Sequence, residues 1–150
     1  MLHIALHQPE IPPNTGNIAR LCFATQSRLH LIGPLGFSLD ERSLRRAGMD
    51  YWHQCDIHLW ESLEHWFHNA PFTRFYLLTT KASKPYWSAT FQDGDAFLFG
   101  RESRGLPESL LAKYPTHCLT IPMRNSSRSL NLATAVAIVL YEAIRQTSLT

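Results

Sequence analysis

Six short aliphatic or alternating stretches, most of them separated by a segment of helical period, constrain this 150-residue chain more than any other feature. They run from Leu2 to His7, Leu29 to Gly33, Cys55 to Trp60, Arg74 to Thr80, Ala96 to Gly100 and Cys118 to Met123, and their content suits strands. Helical patterns fall at Asn17 to Thr25, Asp40 to Gly48, Glu61 to Asn69, Pro107 to Lys113 and Leu130 to Gln146. This alternation predicts an α/β fold, a mainly parallel sheet with helices on both faces. No repeat, low-complexity tract or Pro/Gly-rich linker divides the chain, so residues 1–150 are expected to form one domain. Lys81 to Asp95 reads as the one long loop, a candidate lid or substrate-facing segment.

Composition removes several classes of function. With 45% hydrophobic and 17% charged residues the chain is too apolar to be disordered. A formal charge of +2 makes no global demand for a polyanionic partner, so local clusters must carry any such reading. Cys22, Cys55 and Cys118 are odd in number and form no CxxC pair, which argues against a disulfide framework or a zinc site and for a reducing compartment. The amino terminus alternates and lacks a basic region, unlike a signal peptide. The longest apolar stretch, Leu132 to Tyr141, is about half of what crosses a bilayer. A soluble, cytoplasmic protein without membrane contact is expected. Among the eight histidines, His65 and His68 flank Trp66 with no third ligand at a recognisable spacing, so no metal is expected.

Open α/β sheets bind ligands outside the carboxyl ends of their strands, and three such ends carry unusual residues. After the first strand comes Gln8-Pro-Glu-Ile-Pro-Pro-Asn-Thr-Gly-Asn-Ile-Ala-Arg20. Pro12 and Pro13 stiffen this turn, Gly16 permits close approach, Asn14 or Thr15 can cap the helix, and Arg20 falls about one turn inside it. An arginine fork there suits bidentate phosphate contact, or simply solvent. After the fifth stretch, Gly100-Arg-Glu-Ser-Arg-Gly105-Leu-Pro107 imitates P-loop glycine spacing, but Leu106 and Pro107 replace the required Lys and Ser/Thr. A bare backbone at Gly100 beside a strand end leaves room for a flat adenine-like ring, where a side chain would intrude; a tight turn is the plainer reading.

The third constellation, Ile121-Pro-Met-Arg-Asn-Ser-Ser-Arg-Ser129-Leu-Asn131, is rich in hydroxyl and amide groups that can bind a ligand or cap the next helix. That helix is apolar almost all round, as expected for a core or a subunit interface. Arg42, Arg45 and Arg46 cluster, and Arg101, Arg104, Arg124 and Arg128 fall near the ligand-side loops, either as a solvated face or as a phosphate footprint. No GxSxG elbow supports a serine hydrolase.

Together these residues resemble the SPOUT superfamily of RNA methyltransferases, and within it the TrmL- or YibK-like tRNA wobble-position 2'-O-methyltransferases. The likeness runs from Leu2 to about Gln146 through PEIPPNTGNIARLC, RRAGMDYW, LTTK, FGRESRGLP and IPMRNSSRSLNLATAVAIVLYE. It implies a C-terminal trefoil knot forming the cofactor site, a homodimer with the last helix at its interface, S-adenosylmethionine as methyl donor with S-adenosylhomocysteine as product, and no metal. The implied reaction is methylation of the ribose of cytidine or a modified uridine at tRNA position 34, with tRNA-Leu the expected carrier.

Carried over residue by residue, the likeness puts cofactor contacts at Leu78, Gly100, Ile121, Met123, Ser129 and Leu130. Asn14, Arg20, Glu102, Ser129 and Asn131 resemble the catalytic pattern, and Arg20, Arg46 and Tyr141 the tRNA-side or interface positions. Methyl transfer to oxygen requires in-line positioning and removal of the hydroxyl proton. An arginine is effectively always protonated, so Arg20 is expected to anchor phosphate and steady alkoxide charge rather than act as the base. Two other readings stay open: a non-catalytic RNA-binding or assembly protein on a knotted scaffold, and a ribosomal-RNA 2'-O-methyltransferase.

Overall fold

All six expected strands form, as β1 (His3–His7), β2 (Arg28–Ile32), β3 (Ile57–Trp60), β4 (Arg74–Leu78), β5 (Asp95–Phe99) and β6 (Cys118–Leu119). The helices are α1 (Pro12–Thr25), α2 (Glu41–Arg46), α3 (Leu63–Asn69), α4 (Glu108–Lys113) and α5 (Leu132–Ser148). The computed structural model describes residues 1–46, 48–125 and 129–148, so Arg128 of the arginine cluster lies outside the described residues. Every strand pair is parallel and the order is β3-β2-β1-β5-β4-β6. The chain winds outward from β1 to β3, crosses to β4 on the far side, and returns to place β5 beside β1. Register aligns Leu6 with Phe99, Phe99 with Leu78, and Leu78 with Leu119, so four strands end at one level.

Two of the element boundaries differ from expectation for local reasons. The start of α1 is Pro12 rather than Asn17, because prolines in the first two helical positions supply the helical φ and lack only N–H groups that would be unpaired anyway. Ile11 occupies the N-cap without a side-chain bond, so Asn14 and Thr15 are helical residues, not caps, and Arg20 lies more than two turns inside. Strand β6 stops after two residues, where Thr120 instead pairs with Pro85. The long loop is tied down rather than free: it contains a 3-10 turn at Tyr86–Ser88, and the Gln146 amide of α5 donates to the Ala89 carbonyl and accepts from the Phe91 N–H.

Strand alternation sends side chains to two different cores. Ile4, Leu6, Leu29, Leu31 and Phe97 pack under α1 and α5, whose buried stripe is Leu132, Val136, Val139, Leu140 and Ala143. On the other face Ala5, Ile32, Leu77 and Leu98 pack with the fully buried Trp66 of α3, which stacks on Phe72 and meets Phe67 edge-on, with Phe75 and Tyr114 continuing the aromatic cluster beyond Phe67. His3 and His30 are buried at the edge of this second core. The Trp60 indole can only donate, so its 2.9 Å bond to His30 Nδ1 leaves the His30 proton on Nε2, aimed at His3 Nδ1 2.9 Å away. Both rings are neutral in this chain of bonds. Burial, and next the Arg28 charge, lowers His3 to about 4; burial, and next His3 itself, lowers His30 to about 3.

Candidate active site

A cavity of about 500 Å³ opens outside the carboxyl ends of β4, β5 and β6. Its floor is Leu78 and Phe99 at the strand ends, continued by Thr120 and Ile121 after β6. The wall segments are Thr79–Lys81, the turn from Gly100 to Leu106, the residues from Ser129 to Leu132 entering α5, and Ile11 and Asn14 at the start of α1. Such a volume lies within the roughly 300–1,000 Å³ of small-molecule sites. The lining suits a ligand with a flat apolar part and a charged part. Leu78, Phe99, Ile121, Met123 and Leu130 are apolar, whereas Lys81, Arg101 and Arg104 bring cations. Lys81 is held at the rim by an exposed ion pair with Glu108.

The turn owes its shape to two glycines. Gly105 adopts φ +69° and its N–H closes the turn on the Arg101 carbonyl at 2.8 Å. At Gly100 a Cβ would sit 2.0 Å from the Gly105 carbonyl carbon and 2.2 Å from the Leu106 nitrogen. The bare backbone is therefore required so that the chain can double back on itself. That corrects the reason expected from sequence, which was clearance for an incoming ring, although Gly100 does line the cavity.

Two pairs of polar side chains hold the walls together. The Glu102 carboxylate accepts from the Glu10 N–H at 3.1 and 3.3 Å and from the Ile11 N–H at 2.6 Å. In return, Glu10 Oε1 accepts from the Ser103 N–H at 3.0 Å and the Ser103 hydroxyl at 2.7 Å. Those Ser103 bonds hold the Glu10 carboxyl below the usual carboxylate range. Deeper in, Asn131 Nδ2 donates to Asn14 Oδ1 at 3.0 Å while Asn131 Oδ1 caps α5 by accepting from the Thr134 N–H at 3.2 Å. Asn14 is thus a cross-link to the last helix. Nearby, at the end of β1, His7 is buried with an Nδ1 that has no hydrogen-bond partner among the described residues, and burial followed by the Arg101 charge lowers its pKa.

The cavity brings together Asn14, Leu78, Gly100, Glu102, Ile121, Met123, Ser129, Leu130 and Asn131 of the expected set. Arg20, Arg46 and Tyr141 are not among its lining residues. Arg20 is exposed on α1, about 9 Å along the axis from Asn14. The Tyr51 hydroxyl buttresses the same helix by donating to the Gly16 carbonyl, and burial raises the Tyr51 pKa. Arg46 ends α2, exposed. Tyr141 is 54% exposed and borders a shallow depression beside Met1, Leu2 and Thr25, near the amino ends of the strands. Sequence reasoning missed Glu10 and Ser103, whose partners stand more than 90 residues away. Among the described residues no group of three or more His, Cys, Asp or Glu side chains is placed to hold a metal ion, and no helix is long and apolar enough to cross a membrane.

Comparison with known proteins matches residues 1–141 to the model of the SpoU rRNA Methylase family. The tRNA (cytidine(34)-2'-O)-methyltransferase of Methylovorus glucosotrophus is 48% identical over 147 residues, covering 97% of this chain and 96% of the relative. A solved structure described as giving insights into 2-OH methylation of C/U34 on tRNA superposes with a TM-score of 0.89 at 47% identity, covering 97% of this chain and 95% of that one. An AdoMet-bound rRNA methyltransferase from Sinorhizobium meliloti superposes with a TM-score of 0.79 at 26% identity over 96% of this chain and 56% of that one.

Proposed function

The chain belongs to the SpoU methylase family, and we propose that it moves a methyl group from S-adenosylmethionine to the ribose 2'-hydroxyl at the wobble position, 34, of tRNA. The observation that carries this reading is the cavity at the carboxyl ends of β4 to β6, where an apolar floor, three cations and the cross-linked Asn14–Asn131 pair converge. Its lining fits the cofactor's chemistry. Leu78, Ile121, Met123 and Leu130 would cover the adenine ring, and Lys81, Arg101 and Arg104 would face the carboxylate of the methionine tail. When bound, S-adenosylmethionine supplies a sulfonium-activated methyl group that an oxygen nucleophile takes, leaving a thioether.

The protein's part is to position and to shield. Asn131 holds Asn14 at the cavity wall, so the Asn14 amide is fixed before a substrate arrives. Arg20, exposed on the same helix, anchors a phosphate and steadies charge that grows on the ribose oxygen; the hydroxyl proton passes to solvent or to an acceptor other than Arg20. Because Arg20 lies outside its own chain's cavity, a homodimer would serve this role best. Support for one comes from the exposed Phe23 and Tyr141, 50% and 54% accessible, on the mutually packed helices α1 and α5. The proposal includes a single catalytic domain, a C-terminal trefoil knot, and action in the cytoplasm.

The family's description names ribosomal RNA, whereas the full-length relatives point to tRNA. Mapping 2'-O-methyl groups in tRNA and rRNA from cells with and without this chain separates the two. Loss of the mark at tRNA position 34 alone is expected. Loss of an rRNA mark instead, or of none, contradicts the proposal.

A further inference from the structure

Two stiffened pieces of backbone, hydrogen-bonded to each other, contribute to the cavity wall. One is the turn from Gly100 to Leu106, closed by its own Arg101–Gly105 bond and unable to accept a side chain at Gly100. The other is the lead into α1, stiffened by Pro9, Pro12 and Pro13 and pinned by the Gly36 N–H on the Pro9 carbonyl at 3.2 Å. The exchange between Glu10 and Glu102 joins them, with each carboxylate satisfying backbone N–H groups of the other's segment and Glu10 taking the Ser103 hydroxyl besides. Glu10 is not itself a lining residue, but both of the segments it joins contribute to the lining.

We propose that Glu10 is a positioning residue that couples the two ligand sites: whatever orders the Gly100–Leu106 turn also orders the start of α1, so cofactor and RNA tighten each other's binding. This rests on the S-adenosylmethionine-dependent RNA methylation proposed above. The reasoning is linkage. A ligand gripping the turn, where Arg101 and Arg104 line the cavity, limits the positions open to Glu102 and Ser103. Through the paired carboxylates it limits those of Glu10 and Ile11, hence of Asn14 and the helix bearing Arg20. Coupling between sites is reciprocal, so RNA held on α1 must tighten the cofactor by the same factor. Carboxylates are the right groups for such a joint, because bonds from N–H to an ionised acceptor are short and strong.

The test is calorimetric titration of the native chain with S-adenosylhomocysteine, with and without an anticodon stem–loop RNA bearing an unmodified wobble ribose. RNA should raise the native affinity by about 5-fold or more. In Glu10→Ala that factor should fall to about 1, while affinity without RNA stays within about 3-fold of native, and KM for RNA should rise more than kcat falls. Glu10→Gln keeps a carbonyl acceptor for Ser103 and should restore most of the factor. Ser103→Ala, which loses the hydroxyl but keeps the N–H, should fall between and serves if Glu10→Ala does not fold. A native factor of 1, variants that keep the native factor, or a parallel loss of both affinities with the factor unchanged would each overturn the proposal. A native chain that binds no S-adenosylhomocysteine contradicts methyl transfer itself, a failure distinct from loss of coupling.

Discussion

The face of the sheet under α3 and the rim at its carboxyl ends are built from opposite materials. Under α3 the side chains are aromatic rings and neutral histidines gathered around the fully buried Trp66. At the rim the chain spends glycine, proline, paired amides and carboxylates on an open cavity. The first region makes many dispersion contacts and few exposed polar ones; the second gives up packing to hold a ligand. Stability and chemistry are thereby assigned to different residues, and substitutions should separate them.

The largest effect on stability belongs to Trp66→Ala, which empties the centre of the aromatic core and should cost about 3–5 kcal/mol. Denaturant titration measures the loss. S-adenosylhomocysteine affinity of the protein that remains folded should be unchanged, and a weakened affinity would break the separation. Arg20→Ala should do the reverse. The methylation rate should fall about 10²- to 10³-fold, as when preorganised charge stabilisation is removed, with stability within about 0.5 kcal/mol of native. Arg20→Lys keeps charge but not the fork, so it should rescue the rate in part. Single-turnover kinetics with parallel cofactor titration read both variants.

Acid should sharpen the contrast further. In the unfolded chain His3 and His30 titrate near 6.5, while burial holds them at about 4 and about 3 in the fold, so protons favour the unfolded state. Stability is full above pH 6.5 and is lost as pH falls toward 3, with a slope approaching about 1.4 kcal/mol per pH unit for each histidine. Denaturation midpoints between pH 7.5 and 5 check this. A flat profile would show that the rings are not desolvated. Asn131→Ala should cost about 1 kcal/mol of stability for a lost helix cap. It should nonetheless weaken methylation, because Asn131 also holds Asn14.

The same contrast explains what was legible in the amino-acid order. The six strands and the alternation with helices came through because buried parallel strands are short aliphatic runs, visible in isolation. Of the rim, residue types at strand ends pointed to Gly100 and to the constellation from Ile121 to Asn131, whereas Leu78 came from the resemblance; Leu78, Gly100, Ile121 and Ser129 all line the cavity. The roles were harder. Asn14 looked like a cap because it precedes an apolar run, yet Pro12 and Pro13 start the helix earlier and free its amide for Asn131. Glu10 carried no local signal at all, since an acid between prolines is ordinary until Ser103 and Glu102 are folded against it. Arg20, Arg46 and Tyr141 are not among the lining residues; the two arginines carried a phosphate-binding signal in their side-chain chemistry, and Tyr141 rests on resemblance alone.

The central claim is methyl transfer to one ribose oxygen, and the most direct measurement compares two tRNA substrates that differ in that atom. With native chain and labelled S-adenosylmethionine, a tRNA carrying a normal ribose at position 34 should take up one methyl group per molecule, and the same tRNA with 2'-deoxyribose at position 34 should take up none. Equal labelling of both, or labelling of neither, would contradict the account.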